Sequence, residues 1–469
     1  MSYISNSELQ YAGEYLLEEC RIISVTGKEY DIKDLVEEVN VYEDIEDAAI
    51  SGSIIVSDTT NIVMNLPIIG EERLILKLST PQTSPTEETI IDYTLNPLMI
   101  YKINRQQSIG ENAQMVSMEF TTPETLRNQS TRVSQSYSGD TSEIIEKILR
   151  DETYLNSKKN FYKEPTANMA KVVFPNLHPY RCITQLLQMS NSKDNGDSPA
   201  YLFYESTKGF HLRTYDGLCN DPVQFDYRDN VATRLTPQGT TDPIANLETI
   251  GNYEVVATKN SISSVGNGML SSKLIQHDIY NKKINTHKYN YLENYDRDIH
   301  PDNGESNPIV SEAPDPDTNK NLSQYEDTRV FVTTTASGYS FSEDSNYPYQ
   351  SDNLERTLQR RVGRREQFGG GIILNLEVPG NTMIKIGDKI SVELGASSTL
   401  SDKKDDDNLS GNYIIMRLRH IFTQSQEYKH KIVMTVAKDS KRGLPYPASG
   451  VSQTNYFGKS KGLSRTIVT

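Results

Sequence analysis

Hydrophobic and polar residues alternate along much of the chain at the two-residue period of a half-buried β-strand. The stretch from Ala49 to Leu78 shows this alternation twice, with a break between the two runs. One face of the first run consists of Ile50, Gly52, Ile54 and Val56, and one face of the second consists of Leu74, Leu76 and Leu78. The break holds turn-forming residues, a short apolar segment with Ile62, Met64 and Leu66, and then Pro67 and Gly70. The stretch predicts two strands joined by a short plug, a unit that can cover the end of a small barrel.

Further strands are predicted on both sides of this stretch. They cover Leu16–Val25, Ile32–Tyr42, Ile90–Leu95, Leu98–Asn104 and Ala113–Thr121. Short strands at regular spacing, separated by turn residues such as Gly27, are typical of small antiparallel barrels. We therefore predict a first β-barrel domain over residues 1–121.

The period changes after Thr122 and Pro123. Asp140–Glu143 resembles a helix capping box, and Ile144, Ile145, Ile148 and Leu149 then share one helical face. A second amphipathic helix is predicted from Pro179, and a hairpin from Tyr201–Glu205 and Phe210–Tyr215. Residues 122–230 therefore read as a small α+β domain.

The second half of the chain returns to the strand pattern. Strands are predicted at Tyr253–Ala257, Leu274–Tyr280, Ile372–Val378, Lys389–Leu394, Tyr413–Ile421 and Lys429–Lys438. A helix is predicted at Asp352–Phe368, with Leu354, Leu358 and Val362 on its apolar stripe and Gly369–Gly371 as its end. We predict a second barrel domain with an outer helix over residues 231–440. It has a polar insertion at about 295–350, interpreted as a long loop or a partly disordered insertion, and an extended tail at 441–469. The predicted fold class is mainly β with α+β insertions and two antiparallel β-barrels, each with an outer helix.

Composition narrows the class of protein. The 469 residues carry 63 acidic and 48 basic side chains, a net charge of -15, which argues against a protein wrapped by nucleic acid. The three cysteines, Cys20, Cys182 and Cys219, form no CxxC pair, so we expect folding in a reducing cytoplasm. No apolar run reaches the ~18 residues of a transmembrane helix, and the N-terminus lacks a secretion signal. We expect no membrane association.

The sequence contains no motif that is typical of a catalytic, metal-binding or phosphate-binding site. The seven histidines contain no HExxH or paired spacing, and His420, within a predicted strand, is interpreted as a hydrogen-bonded structural histidine. Asp315, Asp317, Asn319 and Glu326 stand at the offsets of a calcium loop. However, Lys320 replaces the glycine of its sharp turn and Pro316 intrudes, so a solvated acidic loop is favoured. Gly369–Gly371 lacks the GK[ST] of a phosphate loop, and no GxSxG occurs. We predict no catalytic, cofactor-binding or metal site, no cofactor and no enzymatic activity.

A cluster of arginines lies on the helix predicted before Gly369. It consists of Arg356, Arg360, Arg361, Arg364 and Arg365. The favoured interpretation is a solvated helix face, because a helix needs a polar side. The alternative is a contact for an acidic partner, and a protein is preferred to nucleic acid because the chain is acidic overall.

Several short motifs resemble one family when their order and spacing are taken together. They are Gly52–Val56 through Leu66–Glu72, Phe174–Asn176 with His178–Pro179, Phe203–Glu205 with Lys208–Phe210, Val378–Thr382, Gly387–Asp388, Ser410–Tyr413, Arg419–His420 and Lys438–Ser440. With these residues the chain resembles the central baseplate hub of T-even-type contractile-tailed bacteriophages, whose fold is related to the base of the type VI secretion spike. The resemblance covers roughly residues 15–440. It does not extend to 295–350 or to the tail after 440.

The resemblance implies a specific role. Such hubs are homotrimers in which each subunit carries two barrels like that of the tail-tube protein. Three subunits then present six barrels, and the hub adapts the sixfold tube to the threefold central spike. The symmetry argument is independent of the family, because a trimer continues a hexamer without gaps only if each subunit repeats the tube unit twice. The implied partners are the central spike, tail-tube or tube-initiator proteins and baseplate wedge proteins. Genomic DNA would pass through the channel without specific binding.

The resemblance also places the protein in the virion tail baseplate, after assembly in the host cytoplasm. Two alternatives stay open. One is a tail-associated cell-wall hydrolase, which calls for an inserted catalytic domain that residues 295–350 are too short and too polar to provide. The other is a hub-like component of a phage-derived injection or secretion machine. A carbohydrate-binding adhesin would be expected to expose clustered tryptophans, and the chain contains none.

Overall fold

A computed structural model describes residues 9–59, 69–81, 90–108, 114–167, 169–229, 243–279, 282–302, 306–334, 340–341, 355–395, 406, 408–424 and 429–442. Most of the regular structure in these residues is strand. The strands are β1 Leu16–Ile23, β2 Glu29–Asp31, β3 Val36–Asp44, β4 Ser51–Asp58, β5 Arg73–Ser79, β6 Ile90–Asp92, β7 Leu98–Ser108, β8 Gln114–Thr121, β9 Val133–Asp140, β10 Phe161–Lys163, β11 Met169–Leu177, β12 Tyr201–Ser206, β13 Gly209–Thr214, β14 Phe225–Asp229, β15 Thr249–Ile250, β16 Asn252–Ala257, β17 Ser271–Asp278, β18 Lys283–Asn290, β19 Asn307–Pro308, β20 Val330–Thr334, β21 Ser340–Phe341, β22 Ile372–Pro379, β23 Lys389–Glu393, β24 Gly411–Thr423, β25 Lys429–Lys438 and β26 Ser440–Lys441.

The helices are shorter and concentrate in the middle of the chain. They are α1 Pro123–Ser130, α2 Thr141–Arg150, α3 Pro179–Met189, α4 Tyr215–Asn220, α5 Pro243–Leu247, α6 Ser261–Gly266, α7 Tyr291–Asn294 and α8 Arg361–Gly369, with a π-helical turn at Glu355–Arg360 before α8. Turns of 3-10 helix occur at Lys33–Leu35, Tyr295–Arg297, Leu322–Gln324 and Glu326–Thr328. Among the described residues, every helix is too short or too polar to span a bilayer.

Fifteen strands form one hydrogen-bonded sheet made of two arrays. The N-terminal array runs in the order β3-β4-β8-β7-β5-β1-β2, with β6 on β5. The C-terminal array leaves β24 in two directions, through β23, β14 and β15, and through β25, β22 and β16. β15 and β16 are separated only by Gly251, whose N–H donates to the Glu377 carbonyl of β22 at 2.8 Å.

The two arrays join edge to edge where β3 pairs with β24. This pairing is antiparallel and runs from Asp44 opposite Arg417 to Glu38 opposite Thr423. It brings together strands that lie more than 350 residues apart in the chain. The junction is also continuous in the interior, because Phe422 of β24 packs in the core of the N-terminal array.

The alternation at residues 49–78 produces the predicted faces. Ile50, Gly52, Ile54 and Val56 are buried, and so are Leu74, Leu76 and Leu78. Because residues two apart point to the same face of a strand, each run contributes one face to the core of the N-terminal array. The predicted plug between the two strands lies outside the described residues.

The helix at 141–150 confirms the predicted apolar face and corrects its predicted cap. Ile144, Ile145, Ile148 and Leu149 are fully buried. Asp140 stands at the cap position, but its side chain accepts no hydrogen bond from the helix. The Ser142 N–H instead donates to the hydroxyl of Thr166 at 3.1 Å. A residue distant in sequence therefore supplies the hydrogen-bond partner that the capping box was predicted to provide.

The prediction of a long loop across 295–350 is wrong for its first part. Residues 295–302 and 306–334 contain three 3-10 turns and the strands β19 and β20. Ile309 and Val310 pack with Met269, Leu270 and Tyr291 in a separate small core. β20 pairs in parallel with β17, and β19 pairs with β26 at the start of the predicted tail. The polar composition concealed this structure because two of its acidic residues, Asp298 and Asp302, are buried and accept hydrogen bonds from Arg360 and the Asn412 N–H.

Candidate functional site

A concentrated group of buried charged side chains lies where α8 enters the interior. Arg364 is fully buried, and Arg360 is 3% exposed. We call the set Asp216, Asp298, His300, Arg360, Arg364 and Asp439 the ionic junction. Its members come from α4, from the segment after the 3-10 turn at 295–297, from the helix at 355–369 and from the end of β25.

Arg364 holds three parts of the chain together. Its Nε donates to Asp216 Oδ1 at 3.0 Å, and its Nη1 donates to Asp439 Oδ2. Its Nη2 donates to the Ile299 carbonyl. Because a guanidinium presents several donors in one plane, one side chain can bind two carboxylates and a carbonyl at the same time.

Arg360 and His300 complete the ionic junction. Arg360 donates from Nε and Nη2 to Asp298 Oδ1 at 3.1 and 2.8 Å, and from Nη1 to the Gly196 carbonyl at 3.0 Å. His300 contacts Asp439 Oδ2 through Nδ1 at 2.9 Å and the Tyr295 carbonyl through Nε2 at 3.0 Å. Burial opposes the charge of Asp439, but His300 and Arg364 outweigh it and hold the pKa of this carboxyl well below its usual range. Burial also opposes the charge of His300, and Asp439 outweighs it and raises the pKa of His300.

The interpretation of the arginine cluster as a solvated face or a partner contact is therefore wrong for Arg360 and Arg364. The predicted apolar stripe is not the buried face either, because Leu358 and Val362 are only half-buried. The buried face carries Arg360, Gly363, Arg364, Gln367 and Phe368. A Cβ on Gly363 would lie 2.8 Å from the Tyr289 hydroxyl, so this helix can approach β18 only with glycine there. Arg365 does face solvent and pairs with Glu46.

A second buried cluster joins the α+β region to the N-terminal array. Lys159 Nζ donates to Glu124 Oε2 at 2.7 Å and to Glu205 Oε1 at 2.5 Å. Glu205 Oε2 accepts from the Thr122 hydroxyl at 2.8 Å and from the Ile50 N–H at 3.3 Å. Burial raises the pKa of Glu205 to about 7 against the opposing effect of Lys159. Glu205 belongs to a motif that carried the family resemblance, and the structure gives it a role in assembling the two parts.

His420 is a structural residue, as predicted. It is fully buried, and its Nδ1 lies 3.0 Å from Nε2 of His430, which is also fully buried. Glu43 follows on the other side, with Oε2 accepting from the Ile386 N–H at 3.1 Å. Burial and the neighbouring His420 lower the pKa of His430 well below its usual value. The two histidines are ten residues apart in the sequence, so their contact has no signature among the short spacings that are typical of metal-binding histidines.

The acidic residues at calcium-loop offsets point to other partners. Asp315 Oδ1 accepts from the Asp317 N–H at 2.7 Å, and Glu326 pairs with Lys288 at 2.6 Å. In the part of the chain that the structure describes, no group of three or more His, Cys, Asp or Glu side chains is arranged to hold a metal ion. Gly369 ends α8, and the Gly370 N–H donates to the Glu366 carbonyl at 2.7 Å, as expected of a helix terminator.

The solvent-facing side of the joined sheet carries compensated charge. Across the β3–β24 seam, Arg417 pairs with Asp44 at 2.9 Å, and Arg419 binds the Asn40 side-chain carbonyl at 2.9 Å while lying over the Tyr42 ring. On the same face, Lys431 pairs with Glu377. A shallow open groove of about 290 Å³ follows the seam. Its polar lining has no unpaired run of basic residues that would retain a phosphate backbone.

Comparison with solved structures finds tail proteins and a type VI secretion system component. The tail protein from Neisseria meningitidis is 12% identical, with 91% of this chain and 97% of that chain covered and a TM-score of 0.52. The 43 kDa tail protein of prophage MuSo2 from Shewanella oneidensis is 8% identical, with 90% of this chain and 99% of that chain covered and a TM-score of 0.49. A type VI secretion system component from Escherichia coli is 8% identical, with 88% of this chain and 76% of that chain covered and a TM-score of 0.38. No family model and no curated protein matches the sequence.

The first of these likenesses establishes the fold, and at 12% identity it establishes the fold alone. The chain is a mainly β protein with a tail-protein fold. The tail-related fold that the sequence resemblance implied is thereby confirmed.

Proposed function

We propose that this protein is the structural hub of a contractile phage tail, a homotrimer that connects the sixfold tail tube to the threefold central spike. One observation supports this proposal most directly. A single chain contains two strand arrays joined edge to edge at β3 and β24. Three such chains around one axis would present six arrays, which is the number needed to continue a ring of six subunits.

We further propose that each array curls into a tube-like barrel. In the C-terminal array, β15 pairs with β14 at one end and β16 pairs with β22 at the other end. Because only Gly251 separates β15 from β16, the two ends of this array meet, and this supports its closure into a barrel. The proposed domains are residues 1–121 and 231–440 for the two barrels and 122–230 for the α+β domain. The proposed C-terminal tail, residues 441–469, starts within β26, which pairs with β19 of the insertion proposed at about 295–350. The strand Phe225–Asp229 from the α+β domain pairs with β23 of the second array.

The proposed channel wall is the solvent-facing side of the joined sheet. There, Arg417 and Lys431 are each paired with a carboxylate, and the net charge of the chain is -15. A wall with paired charges and a net negative field lets DNA pass without holding it. The proposed partners are the central spike, tail-tube or tube-initiator proteins and wedge proteins. The site of action is the virion tail baseplate, after assembly in the host cytoplasm.

The proposal is tested by the mass and symmetry of the purified protein. Light scattering at micromolar concentration is expected to give three times the chain mass of 53.0 kDa. Electron micrographs viewed along the axis are expected to show a threefold ring with six lobes. A stable monomer across this concentration range, or particles with another symmetry, would overturn the proposal. A peptidoglycan-release assay is expected to show no activity, and measurable release would favour the hydrolase instead.

A further inference from the structure

The small sheet of β18, β17 and β20 has one covered face and one open face. Partners in register share a face, so Ile275 lies beside Thr286 on one side and Val332 on the other. Leu274 and Gln276 point to the opposite face and are buried. The open face consists of Lys273, Ile275, His277, Ile284, Thr286, Lys288, Val330, Val332 and Thr334. We call it the hairpin face.

The hairpin face exposes apolar side chains in a group. Val332 is 73% exposed, Ile284 is 68% exposed and Val330 is 43% exposed. Single exposed apolar residues are ordinary on protein surfaces, but a contiguous group on one sheet face is characteristic of an interaction site. β18 and β20 are both edge strands of this sheet within the described residues, so each of them pairs with another strand on one side only.

The turn end of the hairpin is basic on a chain that is acidic overall. On the hairpin face itself, Lys273 pairs with Asp327 at 3.1 Å and Lys288 pairs with Glu326 at 2.6 Å, so these charges are compensated. Lys282 and Lys283, at the far end of the hairpin, are exposed. The partner that fits this face is therefore acidic at its rim and has some apolar surface.

Such a surface exists on the N-terminal array of this same chain. Residues 14–38 contain eight acidic and three basic side chains, a net charge of -5. On the edge strand β2 and just beyond it, Glu29, Asp31 and Asp34 are exposed, and Val25 beside them is 59% exposed. We call Val25, Glu29, Asp31 and Asp34 the acidic edge.

We propose that the hairpin face is a subunit contact, and that the acidic edge of a second copy of this chain occupies it. The inference rests on the proposed trimer. A ring of identical subunits joined head to tail requires two different, complementary surfaces on each chain. The hairpin face, with Lys282 and Lys283 at its end, and the acidic edge are two such surfaces. The exposed lysines are opposite in charge to the carboxylates of the acidic edge, both surfaces expose apolar side chains, and they come from opposite halves of the sequence.

The proposal is tested by the concentration dependence of assembly, measured by sedimentation or light scattering. I284D/V332D is expected to weaken assembly about a hundredfold or more, because both side chains lose apolar burial and gain charge. K282E/K283E is expected to weaken assembly about tenfold, with a smaller effect at high salt. The quadruple variant K282E/K283E/D31K/D34K is expected to restore assembly, because the acidic side chains at the end of the hairpin then face basic side chains on the edge of the second copy. The control is Ile262→Asp at another exposed apolar position, 88% exposed, which is expected to leave assembly unchanged.

The outcomes separate this inference from the proposed function. A monomeric wild-type protein overturns both. A trimeric wild type whose assembly is unchanged by I284D/V332D overturns the inference and leaves the hub intact. Failure of D31K/D34K to restore assembly overturns the acidic edge as the occupant. Circular dichroism of each variant shows that it is folded, and because the changed side chains are exposed, the native spectrum is expected throughout.

Discussion

Arg364 and Asp439 form an ion pair in which both side chains are completely buried, and Arg364 belongs to the helix whose arginines were predicted to face solvent. The pair lies between the end of β25, helix α4 and the segment around His300. Taking two charges out of water costs free energy, so such a pair contributes to specificity more than to net stability. Here it determines which side of α8 faces the interior.

Arg364→Leu is expected to lower the free energy of unfolding by about 3–5 kcal/mol, because it leaves Asp216 buried without its counter-charge and leaves Asp439 with His300 as its remaining ionic partner. The measurement is the midpoint of urea unfolding followed by circular dichroism. The matched control is Arg365→Leu, since Arg365 pairs with Glu46 while both side chains are about half exposed. That variant is expected to change stability by less than about 1 kcal/mol. Equal effects of the two variants would contradict the burial of Arg364.

Glu205→Gln is expected to flatten the pH dependence of stability. Burial raises the pKa of Glu205 from its ordinary value of 4.5 to about 7 in the folded chain. The group therefore contributes stability that is fully present below pH 4.5 and is lost as the pH rises to about 7. Glutamine keeps an acceptor for Lys159 and cannot ionise. We expect the free energy of unfolding of the variant, relative to that of the wild type, to be higher at pH 8 than at pH 5.

The measurement for Glu205 is urea unfolding at several pH values between 4.5 and 8. Asp34→Asn, at an exposed carboxylate, serves as the control and is expected to follow the wild type. A constant difference between Glu205→Gln and the wild type over this range would contradict the raised pKa.

Gly380→Ala is expected to destabilise the chain by about 1–3 kcal/mol or more through overpacking. A Cβ at this position would lie 2.0 Å from the His430 ring, which is fully buried and held beside His420. Gly266→Ala is the control, because no atom lies within 4 Å of its added Cβ. Thermal unfolding of the two variants distinguishes them, and similar melting temperatures would place the His430 ring elsewhere.

Thr166→Val is expected to cost about 1 kcal/mol of stability, because it removes the hydroxyl that accepts from the Ser142 N–H at the start of α2. Asp140→Ala is expected to cost less, since the Asp140 side chain makes no cap hydrogen bond. Denaturant titration of both variants measures the difference. The reverse order would show that the capping box predicted from the sequence forms after all.

Period-two alternation was sufficient to predict most strands of both arrays. Lys429–Lys438 was predicted with the same bounds that the structure has, and the hairpin at 201–214 to within one residue. Alternation reports which face of a strand is buried, and that is a local property. It does not report which strand lies beside which, so the pairing of β3 with β24 was beyond it.

The interior of the ionic junction was not predictable for a related reason. Arg360 and Arg364 are four residues apart on one helical face, and charged residues in that pattern are usually solvated. Their burial depends on Asp298, Asp216 and Asp439, which lie 62, 148 and 75 residues away. One local signal was present: Gly363 lies on the same face, and a glycine inside a helix often marks a close approach. The polar composition of 295–350 led to the incorrect prediction of a long loop for the same reason, because composition alone does not distinguish a buried acidic side chain from a solvated one.

The seam between β3 and β24 has a consequence for synthesis. By the time the ribosome has made residue 130, every strand of the N-terminal array exists, yet the edge of β3 stays unpaired until residues 411–423 emerge. Phe422, which fills part of the same core, arrives equally late. A nascent chain with an open strand edge is prone to pair with its neighbours on a polysome. Fragments that end before residue 411 are therefore expected to aggregate, because the edge of β3 and the core around Phe422 are incomplete in them.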